Sequence, residues 1–124
     1  MSSADFVLVD TSVWIEHLRN GSPLLQSLLE DKLVCTHDMI IAELALGNIG
    51  ADGDFLNLLQ NLRVLPTVNP DELLFFITQQ KLAQQGIGFV DANLLASTML
   101  VHGARLLTKD KHLTQVAQRL GIAY

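Results

Sequence analysis

Only one cysteine, Cys35, is present, so the chain cannot form an internal disulfide, and nothing near it marks a reactive thiol. That usage fits a reduced, cytoplasmic setting. No apolar run approaches the ~20 residues needed to span a bilayer, which leaves a membrane out of the expected partners. The opening residues MSSADFVLVD lack a basic stretch and a cleavage site, so they do not read as a signal peptide. Repeats, low-complexity segments and linkers are absent as well. Positive charge is scarce: 8 Lys and Arg stand against 13 Asp and Glu, a net charge of −5. Such a balance argues against a general nucleic-acid binder with a basic face. The objection weakens only where several acids converge on a metal, because a divalent cation cancels much of their charge locally.

Apolar residues fill the space these absences leave. They make up 49% of the 124 residues, charged ones 17%, and mean hydropathy is +0.32. One domain spanning residues 1–124 can bury a core of that kind without disulfides or a structural metal. The apolar excess predicts a sheet covered on both faces and a surface that meets another chain.

Phe6-Val7-Leu8-Val9 reads as a buried strand that ends at Asp10, and Asp10-Thr11-Ser12 can cap a helix from Val13 to about Arg19. After the turn Asn20-Gly21-Ser22, Pro23 starts a second helix to about Asp31. A strand at Leu33-Val34-Cys35-Thr36 leads into the helix MIIAELALG, residues 39–47, and Asn48 to Gly53 forms a glycine-rich break. Helical spacing resumes over Phe55 to Leu62. Arg63 to Val68 predicts a third strand, with Pro66 implying an end or an edge position. Asn69-Pro70-Asp71-Glu72 opens a helix to about Gln85, closed by Gly86-Ile87-Gly88. Asp91 opens the next helix, which stops at His102-Gly103. Ala104 to Leu107 is a fourth strand, Lys111 to Leu120 a helix, and Ile122-Ala123-Tyr124 a terminal strand. Strands alternating with helices imply an α/β fold, a three-layer sandwich with a central parallel sheet of about five strands flanked by helices. Ligands of such sheets sit beyond the carboxyl ends of the strands.

Four acids carry chemical interest: Asp10, Glu43, Asp91 and Asp110. Each aspartate precedes a helix, and taken singly each has helix capping as its commoner reading. Glu43 lies in mid-helix among Ile40, Ile41, Leu44 and Leu46, where no cap explains it. It either faces water from one edge, or is buried and offset by positive charge. Asp10 and Asp110 follow apolar strands closely and so belong at the ligand-binding edge. Carboxylates crowded there repel one another, and a hard divalent cation such as Mg²⁺ or Mn²⁺ relieves the repulsion through oxygen ligands and water. Beside a phosphodiester, one or two such ions make metal-dependent hydrolysis the chemistry this arrangement suits.

In their order and spacing, VLVDTSVWIE, MIIAELALG, VDANLLAS and RLLTKDKHL resemble PIN-domain ribonucleases, and more narrowly the VapC-like toxins of type II toxin–antitoxin systems. The resemblance covers nearly the full chain. It implies a metal-dependent endoribonuclease that leaves 3′-hydroxyl and 5′-phosphate ends. Asp10 and Asp91 would be the principal ligands of one or two Mg²⁺ or Mn²⁺ ions, with Glu43 and Asp110 acting through water. Thr11 or Ser12 would position the metal shell or the scissile phosphate, Thr108 would sit beside Asp110, and Asn93 would stand behind Asp91. An RNA substrate, a homodimer and a cognate VapB-like antitoxin that blocks the site with a peptide segment are implied as well. His112 departs from the pattern, because many relatives carry a second acid two positions after the Asp110 equivalent. Lys109 and Lys111 flank Asp110 and could face phosphate, although a solvated helix start is the commoner role.

Without the four site acids, 9 acids remain against 8 bases, so the rest of the surface is close to neutral. Specificity for RNA is then expected from shape and a few contacts, such as Arg19, Lys109 or Lys111, rather than from salt-driven capture. Two other readings compete. A receiver-type phosphoacceptor domain shares the α/β plan and a late lysine, but it needs paired acids at the first strand, and FVLVDTS offers one. A PIN fold without chemistry would serve as a binding or regulatory module. His17, His37 and His102 are isolated and read as surface or core residues. Trp14 and the stripe Leu73-Leu74-Phe76-Ile77 read as core or dimer face.

Overall fold

The computed structural model describes residues 4–47 and 53–124, so most of the predicted break from Asn48 to Gly53 lies outside the described residues. The chain runs β1 (Phe6–Val9), α1 (Thr11–Asn20), α2 (Pro23–Glu30), β2 (Val34–Thr36), α3 (Asp38–Leu46) and α4 (Asp54–Asn61). It continues as β3 (Arg63–Val64), α5 (Pro70–Gln79), α6 (Phe89–Leu100), β4 (Ala104–Leu107) and α7 (Lys111–Arg119). The strands form one parallel sheet in the order β3-β2-β1-β4. Val7 pairs with Val34 on one side of β1 and with Arg105 on the other. The chain therefore moves outward from β1 to β2 and β3, then crosses back to lay β4 on the far side of β1. Strand order reverses between β1 and β4, and this is where an open α/β sheet forms its ligand crevice.

About five strands are expected from the sequence; four are present among the described residues, with a single parallel bridge in place of the fifth. Leu106 N–H donates to Ile122 O at 2.7 Å and Tyr124 N–H to Leu106 O at 3.0 Å, so only Ala123 pairs, opposite Leu106. β3 is shorter than expected. Leu65 N–H still reaches Thr36 O at 2.9 Å, and Pro66, which has no N–H, ends the ladder. The edge position inferred from Pro66 is the one β3 holds.

Helix starts follow the expected chemistry more closely than helix ends. Ser22 caps α2 through Leu25 N–H, and Asn69 and Glu72 form a reciprocal capping box at α5. α5 stops at Gln79 rather than near Gln85, because Lys81 adopts a left-handed conformation (φ 54°). Leu82 N–H then bonds Ile77 O at 3.0 Å and Lys81 N–H bonds Thr78 O at 3.2 Å, a Schellman closure built on lysine instead of glycine. α6 begins at Phe89, so Asp91 lies inside its first turn instead of opening it.

The core lies between the sheet and the helices on its faces. Val7, Leu8 and Val9 are buried in the central strand beside Leu106 of β4, and Trp14, Leu25, Ile40, Leu94, Leu95 and Leu113 of the helices join them in the core. α6 is the most enclosed helix, buried at every position from Ala92 to Thr98. No helix among the described residues is long and apolar enough to cross a membrane.

Thr36, the last residue of β2, is fully buried, and its Oγ1 has no protein hydrogen-bond partner among the described residues. An unpaired hydroxyl in such a place costs about 1–3 kcal/mol. Thr36→Val keeps the shape and removes the hydroxyl, so urea denaturation is expected to show a gain of about 1 kcal/mol. A comparable loss of stability would mean that the hydroxyl is satisfied.

Candidate active site

Asp10 follows β1 directly and is 7% exposed. It occupies the N-cap position of α1, yet its side chain makes no capping bond. Its Oδ2 instead accepts hydrogen bonds from Thr108 Oγ1 at 2.7 Å and Ser12 Oγ at 2.9 Å. Each hydroxyl has one proton, and each proton is directed at Asp10, so the 3.4 Å approach of Ser12 to Thr108 is a shared orientation, not a bond. The hydroxyls accept in turn from the backbone: Lys109 N–H reaches Ser12 Oγ and Asp110 N–H reaches Thr108 Oγ1, both at 3.0 Å. This relay joins the ends of β1 and β4, already tied by Asp10 N–H to Leu107 O at 2.9 Å. Among the described residues every hydrogen bond to the Asp10 carboxylate falls on Oδ2, which leaves Oδ1 for another ligand.

The other three acids are held in different ways. Asp110 is an N-cap in the ordinary sense, with Oδ1 accepting from Leu113 N–H at 2.8 Å. Asp91 Oδ2 accepts from Gly88 N–H at 3.2 Å, one half of a capping box. Glu43 Oε1 accepts from Thr11 Oγ1 at 2.7 Å, which fastens the middle of α3 to the start of α1. Thr11 and Ser12 thus serve two different carboxylates from adjacent positions.

Glu43 is exposed, so of the two readings of its sequence context the edge position is correct and burial is not. α3 buries only Ile40 and Leu44. Ala42, Ala45 and Leu46 face outward with Glu43, and Leu46 is 88% exposed. An apolar sequence on both faces of the helix made its acid look buried.

The electrostatics gather the four acids. Partial burial pushes the Asp91 carboxyl above the ordinary carboxylate value, against the Gly88 N–H that favours its charged form, and the fields of Asp10, Asp110 and Glu43 push it further up. Those three carboxylates are the other members of the set read from the sequence. Among the described residues no three His, Cys, Asp or Glu side chains close into a chelating cluster. The donor set fits an ion that takes one or two carboxylates and keeps much of its water, as Mg²⁺ does. It does not resemble the closed four-ligand cage of structural zinc.

The remaining candidates divide. Thr108 and Ser12 touch Asp10 directly, and Lys109 contributes its backbone N–H to the relay. Asn93 is buried on α6 and donates to Phe89 O at 2.9 Å, and among the described residues it makes no hydrogen bond to any of the four acids. His112 packs on the loop before α6, where a Cβ on Gly86 (φ 77°) would come within 2.7 Å of its Nδ1. His37, read as a surface or core residue, is in the core: it is fully buried, caps α3 and bonds Ser97 Oγ at 2.9 Å. Its place just before a helix was the available signal.

A PIN domain model matches residues 7–119. Ribonuclease VapC32 of Mycobacterium tuberculosis, in strains CDC 1551 / Oshkosh and ATCC 25618 / H37Rv, is 48% identical over 117 residues, covering 94% of this chain and 94% of the relative. The crystal structure of PAE2754 from Pyrobaculum aerophilum superposes with a TM-score of 0.63 at 18% identity, covering 93% of this chain and 81% of that one, a likeness of fold.

The folded state holds the Asp91 proton more tightly than the unfolded chain does. Ionised Asp91 therefore lowers stability above its shifted pKa, and that penalty disappears as pH falls through the shifted value. At pH 7 without divalent metal, Asp91→Asn is expected to raise the melting temperature by roughly 2–4 °C. Added Mn²⁺ should stabilise the wild type more than the variant. A variant that melts lower, with an unchanged response to Mn²⁺, contradicts the repulsion.

Proposed function

The chain belongs to the PIN domain family, and on that premise we propose that it is a Mg²⁺- or Mn²⁺-dependent endoribonuclease, the toxin of a type II toxin–antitoxin pair. The observation that carries the reading is the hydroxyl relay that holds Asp10 by Oδ2 alone at the switch point of the sheet, with Asp91 raised first by burial and then by the fields of Asp10, Asp110 and Glu43. The naming of 48%-identical relatives as ribonucleases supports the reaction class.

When bound, one or two divalent ions supply the Lewis acidity and positive charge that phosphodiester hydrolysis requires. The protein's own groups fix where that charge resides. Ser12 and Thr108 hold Asp10 by one oxygen and leave the other toward the site. Thr11 holds Glu43 at the rim, and the start of α7 holds Asp110. Asp10 and Asp91 would hold the ions directly, and Glu43 and Asp110 would act on them through water. Water attacks phosphorus in line, the bond to the 3′ oxygen breaks, and the products carry 3′-hydroxyl and 5′-phosphate ends. An unpaired RNA region is the substrate, because its backbone is open to a shallow acidic site.

The cognate VapB-like antitoxin covers Glu43 together with the exposed Ala42, Ala45 and Leu46 of α3 and Leu58 of α4. A homodimer buries the apolar cleft between α5 and α6, about 640 Å³ in volume, which Phe75, Phe76, Met99 and Leu100 line. A cytoplasmic location suits Cys35, whose thiol burial pushes up to about 12, well out of the reactive range.

Asp10→Asn tests the reading. Cleavage of a structured RNA in Mg²⁺ is expected to fall by at least about 100-fold, with folding retained. Full activity in the variant, or in wild type stripped of metal by a chelator, overturns the proposal.

A further inference from the structure

We propose that His37 and Ser97 form a buried strut that positions the helix carrying Glu43 against the helix carrying Asp91, and so sets the separation of those two carboxylates. The inference rests on the nuclease reading above and assigns a task to two residues outside the acid set.

Both residues are fully buried, and His37 Nε2 lies 2.9 Å from Ser97 Oγ. The other ring nitrogen is also engaged: Nδ1 accepts from Met39 N–H at 3.1 Å and caps α3. A nitrogen that accepts carries no proton, so the imidazole is the neutral form with hydrogen on Nε2, and that hydrogen is donated to Ser97. Burial favours the neutral ring, and the neighbouring Asp38 only partly opposes it. Both ends of the imidazole are thus committed in one orientation.

The placement makes this bond more than a core contact. α3 packs mainly on α1 and α4, whereas α6 packs on β4 and α5. The two acid-bearing helices therefore rest on different neighbours. Among the described residues, the His37–Ser97 bond is the one hydrogen bond joining α6 to α3 and its cap. Glu43 lies six residues after His37 and Asp91 six before Ser97, so each acid is about 9 Å along its helix from the strut. A tilt of about 5° at the strut moves either position by about 0.8 Å, enough to disturb a shared ion and its water shell. Such a shift alters the spacing of carboxylates without touching any group that meets RNA.

The test uses the full chain, with Mn²⁺ binding followed by electron paramagnetic resonance in the absence of RNA and cleavage followed separately. Ser97→Ala removes the acceptor, and His37→Asn retains a capping oxygen for Met39 but cannot reach Ser97. Both variants are expected to weaken Mn²⁺ binding about ten-fold and lower kcat by a similar factor, with KM for RNA unchanged. Ser97→Thr, which keeps the hydroxyl, should recover most of both losses. If the two variants melt earlier but bind Mn²⁺ and turn over like wild type, the pair is only structural and the proposal falls. Asp10→Asn separates the two levels. Loss of Mn²⁺ binding there, with none in Ser97→Ala or His37→Asn, removes the strut alone. Unchanged binding in Asp10→Asn removes the site reading and the strut with it.

Discussion

Asp91 sits partly buried on α6 within reach of the fields of Asp10, Asp110 and Glu43. The cost of ionising Asp91 there, set first by its burial and then by those three charges, is the constraint on which the carboxyl edge of the sheet turns. Three of the four acids could have been arranged as simple helix caps, and Asp110 is one. Asp10 is not, because its carboxylate turns from the α1 backbone to the hydroxyls of Ser12 and Thr108. Capping would have spent that carboxylate on its own helix. The two hydroxyls hold it by Oδ2 and leave Oδ1 unbonded among the described residues.

The sheet topology explains why these groups meet. Asp10 ends the central strand, and Thr108 and Asp110 follow the strand laid on its other side. The reversal of strand order between them opens the crevice. The hydroxyl relay then crosses that crevice, so the site is assembled by the same contacts that register β1 against β4. Glu43 and Asp91 come from helices that pack on different neighbours and depend on side-chain links, Thr11 for one and the Gly88 turn for the other.

Much of this was legible in the sequence, for identifiable reasons. The short runs at Phe6–Val9, with its two valines, and at Ala104–Leu107 are long enough to bury and too short to be helices, and both are strands. Asn69-Pro70 carried its capping chemistry in its residue types. The end of α5 was hidden because Lys81 takes a conformation that sequence reading assigns to glycine. Glu43 was identified for an incomplete reason. Its helix is apolar on both faces, and hydropathy cannot tell a buried face from an exposed apolar one. His37 proves to be the core residue that was one of its two readings, but its partner Ser97 is 60 residues away, and no local pattern encodes that pairing.

The central claim is that Asp91, raised first by burial and then by the charges of Asp10, Asp110 and Glu43, is costly to ionise, and that a divalent cation would offset that cost. Carbon-13 NMR of the Asp91 side-chain carboxyl, followed against pH with and without Mg²⁺, tests it most directly. Without Mg²⁺ the midpoint should lie above the ordinary aspartate value, and Mg²⁺ should draw it down as the ionised form gains a counter-charge. A midpoint at or below the ordinary value, or one that Mg²⁺ leaves in place, would contradict the account.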